Sequence, residues 1–135
     1  MDKKTFEGAI VRERKFRGRA VNDYPSLKIK RGDWVFGYLA DEDTISVKTY
    51  MDDYGDLNCV LVQVDPRTVG QYVNLKDGNG REIYEDDVVR DQNGNLYQVK
   101  FIVYYIYPFN IIFPNKSEVV GNIHDNVEML GMQNV

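Results

Sequence analysis

Five carboxylates and two glycines fall within sixteen residues, LKDGNGREIYEDDVVR at 75–90, a density that suits acid–base chemistry, cation binding or a turn. Paired carboxylates divide donor and acceptor roles when their surroundings push their pKa values apart. Glu82, Glu85, Asp86 and Asp87 are the groups a carboxylate-dependent hydrolase would use. In strand geometry Glu85 and Asp87 share one face and Asp86 takes the other. No flanking apolar pocket can be inferred, so the expectation is a solvated acidic patch with no catalytic residue. DGNGRE also opens like an EF-hand loop, which needs Gly at the sixth position and a bidentate Glu at the twelfth. Counted from Asp77, Gly80 is fourth, Glu82 sixth and Val88 twelfth. A tight turn accounts for these residues better, and no metal or cofactor is expected.

The other chemical candidates are sparse. His124 is the only histidine and Cys59 the only cysteine, so no zinc set or nucleophile–base pair can be assembled from them. Cys59 opens the apolar run CVLVQV and is expected to be a buried, inert thiol, a usage that fits a reducing cytoplasm. No G-x-S-x-G or P-loop pattern occurs.

Charge offers a different chemistry. Residues 1–31 carry ten Lys/Arg against four Asp/Glu, and the remainder seven against seventeen, although the net charge is only −4. RERKFRGR, residues 12–19, puts Lys15, Arg17 and Arg19 on one strand face and Arg12 and Arg14 on the other beside Phe16. With ten tyrosines available for stacking, this segment is the candidate nucleic-acid contact. The acidic remainder opposes a long duplex. The same opposition of charge would equally be satisfied within one chain or between copies.

The elements that must position these groups are strands. Short runs rich in Val, Ile, Tyr and Phe alternate with Gly, Asn, Asp and Pro clusters, and no long 3.6-residue period is visible. WVFGYL (34–39) puts Trp34, Phe36 and Tyr38 on one face and Val35, Gly37 and Leu39 on the other. TISVKTY and CVLVQV form a hairpin across the exposed loop MDDYGDLN. Asp65-Pro66 starts one short helical turn, Asn93-Gly94 marks a second hairpin, and Pro108 places its segment at an edge or bulge. NDYPSLKIKRGD, residues 22–33, is a long surface loop. EVVGNIHDNVEML is a strand followed by a short helical segment that Asp125 or Asn126 caps. The expected core is Trp34, Phe36, Val60, Val62, Ile83, Val88 and Ile123. A single domain over 1–135 is expected, and neither an apolar secretory region nor a membrane span is signalled.

Three pieces in order, KFRGRAV with GDWVFGYL, then VDPRTVGQYVNLKDGNGREIYEDDVV, then EVVGNIHDNVEML, resemble the YopX family of small phage and prophage proteins. The resemblance spans about 14–130. Its signature here is Gln71-Tyr72, Leu75 with Asp77, the run Gly80, Glu82, Ile83 and Tyr84, and then Asp87-Val88. The resemblance implies a mainly β fold: a small SH3-like barrel in the C-terminal part, core about 65–130, with an N-terminal β extension and short helical turns. Asn74 and Asp86 stand where the family usually has glycine, which implies left-handed backbone at both. Val127 replaces the family's usual proline at the start of the final helix. The resemblance carries no catalytic residue. It implies a cytoplasmic phage or prophage accessory protein in a bacterial host, acting without catalysis through a phage or host protein, with a homo-oligomer or a nucleic-acid-binding regulator as further possibilities.

Overall fold

The computed structural model describes residues 14–126. Within them lie eleven strands: β1 (Phe16–Arg19), β2 (Trp34–Asp41), β3 (Thr44–Met51), β4 (Leu57–Gln63), β5 (Gly70–Lys76), β6 (Glu82–Tyr84), β7 (Asp87–Arg90), β8 (Leu96–Gln98), β9 (Lys100–Ile102), β10 (Tyr105–Tyr107) and β11 (Glu118–Asn122). Single 3-10 turns, each begun by a proline, occur at Pro25–Leu27, Pro66–Thr68 and Pro114–Lys116. The expected turn after Asp65 is among them, its carboxylate accepting the Arg67 N–H. The final helix expected beyond Asn126 lies outside the described residues, as does Arg12.

The strands form antiparallel sheets in the orders β4-β3-β2-β1-β5-β6, β11-β7-β8 and β10-β9. The fold is mainly β, but these sheets do not close into a barrel; the order of the large sheet ends on β4 and β6. Two apolar clusters fill it. Ala20, Val35, Ile45, Val62 and Val64 form one, and Val73, Ile83, Val89, Val99 and Val119 the other. β7 is buried on both faces, which is why Val88 and Val89 are consecutive apolar residues.

One piece of local chemistry recurs three times. DDYGD (52–56), DGNGR (77–81) and DQNGN (91–95) each bring a chain reversal with the same bonds. The first Asp accepts at Oδ1 the N–H groups two and four residues on, and its own N–H donates to the fifth carbonyl. The fourth residue is a glycine with φ of 82°, 80° and 88° in the three loops. This is a type I turn closed by a left-handed glycine, the common longer hairpin loop. At the expected Asn93-Gly94 hairpin only the glycine is left-handed. The opening motif is therefore turn chemistry.

Three expectations about burial are corrected. Val62, Ile83 and Val88 are buried, but Trp34, Val60 and Ile123 are half-buried and Phe36 is 47 % exposed. The core face of β2 belongs to Val35, because Arg17 and Arg19 pair with Phe36 and Trp34 on the opposite face. Cys59 is exposed, since on β4 only Val62 is fully enclosed and Cys59 takes the outer face. The carboxylates are not all superficial. Asp77 and Asp87 are buried, each with defined partners.

Candidate functional site

β1 runs between β2 and β5, and the two-residue period of a strand puts Arg17 and Arg19 on one face of the large sheet. Gly18 points the other way, where a Cβ would meet Val64 at 2.9 Å. Arg17 is 6 % exposed and its Nη2 lies 2.8 Å from Asp87 Oδ1. Its guanidinium carbon sits 4.8 Å from the Trp34 ring centre and 5.0 Å from that of Tyr84. Asp87, 1 % exposed, also accepts the Tyr84 N–H at 2.8 Å. Burial pushes the Asp87 carboxyl above its ordinary value, and the Arg17 charge only partly opposes this.

The neighbouring cations are engaged too. Arg19 pairs with Asp125, donates to the Gly32 carbonyl at 2.8 Å and lies 4.7 Å from the Trp34 ring centre. Trp34 Nε1 donates to the same Asp125 at 3.3 Å. Lys15 Nζ donates to both Glu82 oxygens, at 2.8 and 3.0 Å, and Tyr84 hydroxyl donates to Glu82 as well. Burial, then the Glu82 charge, raise the Tyr84 hydroxyl pKa far above the ordinary phenol value. Arg14 is exposed. Three of the five candidate phosphate contacts are thus held by carboxylates of the same chain. The opposed charges of the two halves meet here.

The acidic run is equally committed. Glu85 is half-buried, and burial followed by the Asp86 charge raises its carboxyl. Asp86 has φ 72°, accepts from Gln98 Nε2 at 3.1 Å and lies 3.5 Å from His124 Nε2. Asn74 has φ 63° at a register shift in the β5–β6 pairing. Both glycine substitutions are left-handed, as expected. Asp77 Oδ2 accepts the Val119 N–H at 2.9 Å, tying its turn to β11. A cleft of about 200 Å³ lined by Arg17, Phe36, Arg81, Glu82 and Tyr84 takes only Glu82 of the four candidate carboxylates. Among the described residues no three His, Cys, Asp or Glu side chains cluster to hold a metal ion, and no helix is long and apolar enough to cross a membrane.

Ile83 is fully buried, Leu75 packs on the second cluster, and Tyr72 lies 5.5 Å from the Tyr84 ring. Gln71 pairs with Phe16 across β1 and β5. A family model described as YopX protein matches residues 26–131. The chain belongs to the YopX family. In this chain Gln71, Glu82, Tyr84 and Asp87 tie β1 to the second half of the fold. A crystal structure of protein EF1440 from Enterococcus faecalis has a TM-score of 0.54 with 19 % identity, covering 89 % of this chain and 99 % of that one. At that identity the likeness is one of fold. No curated protein matches the sequence.

One exposed feature escaped the sequence reading. The β9–β10 hairpin carries Phe101, Ile102, Val103, Tyr104 and Tyr105, all exposed, with Val103 at 86 % and Tyr104 at 94 %. Ile111 and Phe113 are exposed after it. The run FIVYY lacks period-2 alternation, a pattern shared with buried strands, and only its pairing as a two-stranded ribbon leaves apolar side chains exposed on both faces.

Proposed function

We propose that this YopX-family chain is a phage or prophage accessory protein of the bacterial cytoplasm that works as a non-catalytic protein-interaction module. The β9–β10 hairpin supports this reading: exposed apolar residues in such a run mark contact surfaces on soluble folds. Aromatic side chains at a hairpin tip supply large contact area at low cost in side-chain entropy. The charged groups of β1, β6 and β7 serve the scaffold, so recognition falls to the apolar tip.

Affinity capture during prophage induction tests the proposal, with the wild-type chain compared against Val103→Asp and Tyr104→Ser. Proteins held by the wild type and lost from both variants are the expected result, while circular dichroism and melting stay unchanged. An identical captured set for all three chains refutes the assignment to this hairpin.

A further inference from the structure

We propose that β4 is a self-association edge through which two copies of the chain join by antiparallel β4–β4 pairing about a two-fold axis at Cys59. β4 ends the order of the large sheet and pairs with β3 alone. The Val64 N–H points inward to the Asp43 carbonyl, whereas the Gln63 N–H points outward and donates to the Tyr24 hydroxyl. Backbone groups alternate along an antiparallel strand, so Leu57, Cys59 and Leu61 direct their N–H and C=O groups to the open edge.

Edge strands are ordinarily blunted by lysine, proline or a bulge. β4 reads LNCVLVQ, without charge or proline, and the bulge in its ladder belongs to β3, where Val47 is the extra residue. Its outer face is apolar as well. Leu57 is 70 % and Leu61 50 % exposed, and Met51, opposite Leu57 in the ladder, is 67 % exposed. An edge with open backbone groups and an apolar face is a template for another strand.

Charge selects a second copy as the occupant. Off one end of β4 lies the turn with Asp52, Asp53 and Asp56. At the other end Gln63 is held by Val21, Asn22 and Tyr24, the start of the loop that carries exposed Lys28, Lys30 and Arg31. None of these three cations has an ion pair among the described residues. The acids of that loop, Asp23 and Asp33, accept the backbone N–H groups of Arg31 and Lys30. A two-fold axis at Cys59 turns the acidic end of each copy toward the basic end of the other, and sets Leu57 against Leu61 of the second copy. The surface is separate from the β9–β10 hairpin, and each proposal stands without the other.

Sedimentation velocity on the full chain across a hundredfold concentration range, with thiol cross-linking, tests the dimer. The expected species has twice the 15.7 kDa mass of one chain. Cys59 is the only cysteine, so a short bis-maleimide reports on this position alone. Residues opposed in a hydrogen-bonded antiparallel pair have Cα atoms about 5.5 Å apart, well within its reach. Leu61→Lys raises the dissociation constant at least about tenfold by placing charge in the apolar contact. Combining it with Leu57→Asp restores the dimer, because each new carboxylate then faces the new ammonium of the other copy. Variants at Val103 and Tyr104 leave the dimer intact. A monomer at every concentration, a dimer indifferent to Leu61→Lys, absent Cys59 coupling, or failure of the double variant to recover overturns the proposal.

Discussion

Replacing Asp87 with Asn should cost the fold about 3–5 kcal/mol, the usual penalty for leaving one buried charge without its partner. The magnitude follows from the enclosure of both groups: the side chains of Arg17 and Asp87 are 7 % and 2 % exposed. By contrast Arg67, paired with Asp65 but 88 % exposed at its side chain, belongs to the solvent-screened pairs that add little to stability. Near neutral pH Arg17→Met should cost less than Asp87→Asn, because the carboxyl left behind can take up a proton whereas the guanidinium cannot lose one; at about pH 3, where Asp87 is protonated, Asp87→Asn should cost little. The double variant Arg17→Met/Asp87→Asn should return to within about 2 kcal/mol of wild type, the residual loss reflecting the Trp34 and Tyr84 ring contacts. Burial already raises Asp87 above 3.8 despite Arg17, so the folded state binds its proton more tightly than the unfolded chain. Its contribution to stability is therefore present below 3.8 and lost as pH rises from there through the folded value. Urea melts of the four chains, from pH 3 upward, give the cycle, with an unchanged m-value as the control for two-state behaviour. Additive single losses, or single losses below about 1 kcal/mol, would refute the argument that these charges are interdependent.

Three further outcomes follow from the same geometry. Asp77→Asn should lose about 2–3 kcal/mol in urea melts, since an amide cannot accept from Asn79, Arg81 and Val119 N–H groups at once. Asp86→Ala should cost about 1–2 kcal/mol for left-handed backbone at φ 72°, whereas Asp86→Gly should stay within about 1 kcal/mol of wild type, with both read by thermal melting. Fluorescence anisotropy with single- and double-stranded DNA and RNA at low salt should show no salt-dependent binding at micromolar protein, because Lys15, Arg17 and Arg19 already face carboxylates. Binding that weakens steeply with salt would restore the nucleic-acid reading.

Local rules were legible in the sequence and nonlocal ones were not. The hairpin loops could be placed because aspartate and glycine act on backbone within five residues. The strands around them followed from period-2 runs bounded by those turns. The face of β2 did not, since Trp34, Phe36 and Val35 are all good strand residues. What decides the face is register with β1, which sets Arg17 against Phe36 and Arg19 against Trp34. Barrel closure was likewise a matter of which edges pair, and β4 and β6 end their sheet's order.

The charge layout shows why composition alone left two readings of the basic segment open. An excess of cations at one end of a chain and of anions at the other is indistinguishable, in a count, from a nucleic-acid arm with an acidic tail. Lys15 and Glu82 are 67 residues apart in sequence and 2.8 Å apart in space, and Arg17 with Asp87 repeats the relation in the interior. Asp87 could be buried only because β1 delivers a guanidinium to it, and Arg17 because that carboxylate and the Trp34 and Tyr84 rings pack against it. The carboxylates that first suggested a reaction thus divide by what reaches them. Asp77 takes backbone N–H groups, Glu82 and Asp87 take cations, and Asp86 holds a left-handed corner between β6 and β7.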